Sequence, residues 1–109
     1  MANTTRVTVG SQTTSVPIPL STYADPFNVG LGVKLSAGAS LTYTVEHTFD
    51  DVQSPSFSPA TAVWYSNSTI VSKTTNQDGN YAFPVTAIRL NVTVWTSGTA
   101  TLTAIQAGY

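Results

Sequence analysis

The chain contains no cysteine, which removes both a disulfide framework and a thiolate metal site and leaves packing as the source of stability. Charge is scarce too: four basic and five acidic residues make up 8% of 109 residues, with a formal net charge of −1. Arg6, Lys34, Lys73 and Arg89 stand singly. A protein that neutralises a run of phosphates needs clustered Lys and Arg, so no nucleic-acid partner is expected. No segment approaches the roughly 18 apolar residues of a bilayer span, and "MANTTRVTVG" lacks an apolar stretch of signal-peptide length. The expectation is a chain made in a cytoplasm, without a membrane partner. The triplets at Asn3, Asn67 and Asn91 match the glycosylation pattern, but without export they are chance matches in a Thr-rich sequence.

A small soluble monomer usually carries about a quarter of its surface as charge. Here the polar surface must be mostly Thr, Ser and Asn, which lie against another protein without the desolvation cost of buried ions. That suits a protein that works inside an assembly. It suits equally a β-domain with a Thr-rich exposed face.

What is present is period-two alternation, and no window favours a helix. "RVTV" is a first strand. In "TTSVPIPL" Val16, Ile18 and Leu20 alternate, while Pro17 and Pro19 remove ladder donors and place the run at an edge. "DPFNVGLGVKL" puts Phe27, Val29, Leu31, Val33 and Leu35 on one face; Gly30 and Gly32 on the other suggest close approach by another backbone, or a sharp bend. After a turn at "AGAS", "LTYTVEHTF" alternates again, and the two runs are expected to pair as a hairpin. "ATAVWYS" and "TIVSK" are short strands, and "TTNQDGN" is a loop in which Asp78, Gly79 and Asn80 supply turn chemistry. "TAIRLNVTVW" directs Ile88, Leu90, Val92 and Val94 inward and Arg89, Asn91, Thr93 and Trp95 outward, and "TATLTAI" returns after the turn "TSG". About eight strands in 109 residues imply one all-β domain, a single-domain antiparallel β-sandwich that is jelly-roll-like, with an immunoglobulin-like sandwich as second choice. Residues 1–20 are expected to serve as an extended contact arm and edge strand.

"VEHTFDD", residues 45–51, concentrates the single histidine and three of the five acidic residues. A strand through Phe49 splits the group, sending His47 to the face of Tyr43 and Val45 and Glu46 to the other. Asp50 and Asp51 then begin a turn. Zinc would need further His or Cys ligands, and the spaced acidic pattern of a calcium loop is missing, although loop carbonyls beside Asp50 and Asp51 leave calcium open. No nucleophile elbow, carboxylate pair across a cleft or phosphate-cradling loop appears, so no enzyme, no cofactor and no metal are expected. Aromatic residues remain as functional candidates: Trp95 on the outward face, and Trp64 with Tyr65 pointing to both. Exposed rings suit sugars or protein partners, and the competing reading is that they cap the sandwich edge.

"VEHTFDDV", a central "WY" and "DGNYAFPVTAIRLNVTVWTSGTATLTAIQAG" resemble small virion-associated proteins of tailed bacteriophages, over roughly residues 40–108. The string from Asp78 to Leu90, followed by a "TSG" hairpin, is the most specific part. The resemblance implies a capsid decoration (cement) protein with a jelly-roll fold, made in the bacterial cytoplasm, that sits on the outer head surface and staples neighbouring major-capsid subunits. Its partners would be the major capsid protein and itself, as a homodimer or homotrimer suited to capsid symmetry axes. No site residues carry over from it. Interface candidates are Val16, Pro17, Ile18, Pro19, Trp64, Tyr65 and Trp95. The alternative is a tail-fibre, adhesin or carbohydrate-binding module that recognises host glycan through the same rings.

Overall fold

Apolar residues alternate with polar ones along the longer runs of this chain, so each such strand must lay one face against another layer. The computed structural model describes residues 2–21, 27–52 and 54–107. It contains β1 (Ala2–Val9), β2 (Ile18–Pro19), β3 (Val29–Leu35), β4 (Ser40–Thr48), β5 (Trp64–Ser66), β6 (Gln77–Tyr81), β7 (Ala87–Ser97) and β8 (Ala100–Ala107). Asp25 and Pro26, expected to open the third run, and Gln53, just past the turn expected at Asp50 and Asp51, lie outside the described residues.

Two antiparallel sheets form, ordered β1-β8-β3-β6 and β2-β7-β4-β5. The pairs β1/β8, β2/β7, β3/β6 and β4/β5 nest inside one another, as in a long hairpin folded over on itself. This is the eight-stranded jelly roll. Between the sheets lie Val29, Leu31 and Val33 of β3, Leu41, Tyr43 and Val45 of β4, Ile88, Leu90 and Val92 of β7, and Ala100, Leu102 and Ala104 of β8. These are the inward faces expected from alternation. β1 and β2 are edge strands of their sheets, and for β2 that position suits Pro19 and the preceding Pro17.

Several local expectations fail for identifiable reasons. β3 and β4 do not form a hairpin: they belong to different sheets, and residues 36–39 arch across the core between them. "TSG" is likewise an arch from β7 to β8 and not a hairpin turn. The arches pack side by side, with Ser36 N–H donating to Thr99 O and Thr99 N–H donating to Ser36 Oγ. Gly98 has φ of +89°, and a Cβ there would lie 2.5 Å from Ala39 Cβ, so only glycine fits. Asp78 and Gly79 are not a turn. They lie inside β6, with Gly79 opposite Leu31 and close under Ile70.

"TIVSK" follows the edge of β4 irregularly, bonded at Val45 and Tyr43, and Ser72 has a positive φ of 52°. In β7 a bulge falls where Tyr43 pairs with Val92 but Thr42 pairs with Val94. The extra residue, Thr93, reverses the alternation beyond it. Val94 is therefore exposed, and Trp95 shares the face of Leu41, contrary to the expected arrangement.

Candidate functional site

β5 and β6 are the outermost strands on one side of the two sheets, and what they bring together is aromatic. His47 projects inward from β4, Tyr65 lies opposite it on β5, and Tyr81 ends β6 on the other sheet. Phe49 continues the face of His47 one residue past β4, and Phe83 follows β6. Four rings surround the imidazole: Tyr81 at 4.9 Å, Phe49 at 5.4 Å and Phe83 at 5.7 Å edge-on, and Tyr65 stacked at 5.9 Å. Phe49 also meets Tyr65 at 5.6 Å with the planes tilted by 58°, and Tyr81 meets Phe83 at 5.5 Å in the edge-to-face geometry that aromatic quadrupoles favour.

The inner and outer halves of the cluster differ. His47 and Tyr81 are buried, with Nδ1 and the phenol oxygen 2.8 Å apart. Asn67 Oδ1 accepts from the Thr69 and Ile70 N–H groups and from the Thr69 hydroxyl, so its amide nitrogen is the group that bonds the Tyr81 hydroxyl. The phenol then donates to Nδ1 and leaves the imidazole proton on Nε2. Burial lowers the His47 pKa below its usual value and keeps the ring neutral at pH 7. Burial likewise pushes Tyr81 up to about 12, against the Asn67 bond and with a smaller push from Glu46. The outer rings are different: Phe49, Tyr65 and Phe83 remain 53, 50 and 49% exposed. A rigid polar anchor thus holds up an apolar surface.

The acidic residues beside His47 separate as the strand pattern required. Glu46 faces outward, accepting from Arg89 Nε at 2.7 Å and from the Asn91 amide. Asp50 Oδ2 accepts from Val63 N–H and closes the 50–63 loop. Among the described residues no group of three or more His, Cys, Asp or Glu is placed to hold a metal ion.

The other interface candidates scatter. Ile18 is core, 2% exposed and paired with Ile88, so it is unavailable to a partner. The expected arm is not free: β1 pairs with β8 along its length, and residues 13–20 are bonded to β7 and to Thr86. Val16 projects alone, 71% exposed. Pro17 and Pro19 line a groove of about 340 Å³ with Val52, Phe57 and Pro59. Trp64 is held down, its ring 4.1 Å beneath the Arg89 guanidinium and its Nε1 donating to Pro59 O. Trp95 lies at the arched end, 38% exposed, with Nε1 donating to Gly98 O.

Only Tyr65 of the seven candidates joins the cluster. Phe49 and Phe83 were missed because each sits one or two residues past a strand, where alternation no longer fixes a face. The usable signal was the close spacing of rings in "HTF" and "YAF" near two strand ends.

No protein-family model matches the chain, and no curated protein sequence matches it. Among solved structures, one described as "Bacillus endospore appendages form a novel family of disulfide-linked pili" is similar over 97% of this chain and 86% of that one. Its TM-score is 0.48 at 8% sequence identity, a likeness that carries no functional information. No helix of the described residues is long and apolar enough to cross a membrane.

Proposed function

We propose that this chain is a structural virion protein that binds the outer surface of a bacteriophage capsid and staples neighbouring major-capsid subunits, docking through Phe49, Tyr65 and Phe83. The observation that carries the reading is the patch itself, three half-exposed rings on a buried His47–Tyr81 anchor. Two of the four phenylalanines stay half in water when a core is at hand. The three strings behind the phage resemblance support it: "VEHTFDDV" supplies His47 and Phe49, "WY" supplies Tyr65, and "DGNYAFP" supplies Tyr81 and Phe83.

Magnitudes favour many weak contacts over one strong one. An aromatic side chain offers about 200 Å², so covering the exposed halves of three removes roughly 300 Å² from water, about 7 kcal/mol gross. Association itself costs about 4–15 kcal/mol, so a single patch binds weakly. Repetition over a lattice converts weak contacts into durable occupancy, and selective binding of the assembled shell stabilises it against separation.

A protein partner fits this patch better than a sugar. Ring stacking on a sugar is accompanied by several hydrogen bonds to its hydroxyls, and this patch offers few polar groups: Phe49 and Phe83 have none and His47 Nδ1 is engaged, which leaves the Tyr65 hydroxyl and the imidazole Nε2–H. The test is cosedimentation with phage heads assembled without this protein, comparing the native chain with Phe49→Ser/Phe83→Ser. Saturable binding that the double variant weakens at least tenfold, with both proteins melting cooperatively, is the expected result. No head binding, together with glycan-array binding that Tyr65→Ala abolishes, would replace this reading with the glycan one.

A further inference from the structure

The outer face of the β1-β8-β3-β6 sheet is patterned in rows. One row runs Arg6–Thr103–Gly32–Asp78 and the next runs Thr4–Ile105–Gly30–Asn80. Opposite charges therefore stand at the two edges of a single row, and among the described residues neither Arg6 nor Asp78 belongs to an ion pair. Ile105 is 45% exposed on this face, beside Gly30. The two glycines are not explained by the fold. Neither has a positive φ, a Cβ at Gly32 would meet nothing within 4 Å, and one at Gly30 would come no nearer than 3.9 Å to any atom. Glycine in a strand interior weakens it, so its presence in two successive outward positions of a central strand calls for an external reason.

The geometry points to a symmetric dimer in which this face meets the same face of a second copy. Place a twofold axis along the strands, midway between β8 and β3. Arg6 then lies over the partner's Asp78, Thr103 over the partner's Gly32, and Ile105 over the partner's Gly30. Each larger side chain enters a space that a glycine leaves open, and the edge charges pair twice by symmetry. Face-to-face sheets pack about 10 Å apart with strands within about 30°, an offset that the long Arg6 side chain spans. The same axis sets Lys34 across the interface from the partner's Lys34 with a lateral offset of about one strand spacing, at the rim, where the like charges oppose the contact. Strand spacings give a face of roughly 20 by 25 Å, or about 1,000 Å² over both copies. That is the low end for a specific interface, so the dimer is weak, with Kd on the order of 10 μM.

This contact is separate from the aromatic patch, and a dimer carries two patches where a monomer carries one, which is what bridging two subunits requires. Sedimentation velocity from about 1 μM to about 1 mM tests it. The native chain is expected to dimerise reversibly. Asp78→Arg and Arg6→Asp each weaken the dimer at least tenfold, and the combined Arg6→Asp/Asp78→Arg chain recovers it, because the pair is remade with its signs exchanged. Lys34→Gln tightens the dimer. Gly32→Thr is monomeric with its melting temperature unchanged or raised, which separates an interface role from a folding role. A chain that stays monomeric throughout overturns the proposal, as does a dimer that the single charge reversals leave intact or that Phe49→Ser/Phe83→Ser dissolves. Head binding is a different readout, so failure of shell docking and failure of dimerisation remain distinguishable.

Discussion

Folding takes the His47 imidazole out of water and commits its Nδ1 to Tyr81, so the neutral ring is the form the native state accepts. Its pKa is lowered by burial, and an unfolded chain therefore binds a proton more readily than the folded one as pH falls past about 6.5. Stability from this residue is fully present above that pH and is lost progressively below it. Denaturant titrations at pH 7, 6 and 5 are expected to show a falling unfolding free energy, and His47→Gln to flatten the decline; an equal decline in the variant would remove His47 as its cause. How His47 is used was partly legible in the sequence. Alternation placed it on the face of Tyr43 and Val45 and separated it from Glu46, which is where the structure has them. Its phenol partner, 34 residues away on the other sheet, has no local signature.

At the scale of elements, period-two patterning identified the strand faces but not the connections. A hairpin and an arch both join two alternating runs through a short polar segment, and in each the apolar residues face the core; only the sheet to which the second strand returns differs. That is why "AGAS" and "TSG" read as hairpin turns in the sequence. β6 was hidden because Asp-Gly usually marks a turn, and it forms a strand here because β3 offers an edge and Ile70 covers the glycine. The bulge at Thr93 has no sequence mark, yet it decides where Trp95 points. The arches also make a testable contrast. Gly98→Ala combines a positive φ with overlap against Ala39 and is expected to cost roughly 2–4 kcal/mol. Gly38→Ala meets open space at φ of +74° and should cost only about 1–2 kcal/mol. Thermal melts that rank the two the other way would contradict the arch packing.

For the whole molecule, about eight alternating runs with no helical window indicate an antiparallel sandwich, jelly-roll-like or immunoglobulin-like, and the nested pairing of first strand with last makes it a jelly roll. The surface was less legible, because a partner-facing position is defined by what the fold leaves uncovered. Of the residues singled out by type, Ile18 went to the core and Trp64 beneath Arg89, while Phe49 and Phe83 became the exposed rings. The outcome is a body with two dissimilar exposed surfaces, an aromatic corner and a flat face of threonine and glycine. Hydroxyl-radical footprinting of the protein free and bound to heads tests the aromatic corner most directly, since it labels the ring side chains themselves. Oxidation of Phe49, Tyr65 and Phe83 should fall sharply on binding while Trp95 and Val16 react as before. Unchanged labelling of those three rings in a head-bound sample would contradict the account.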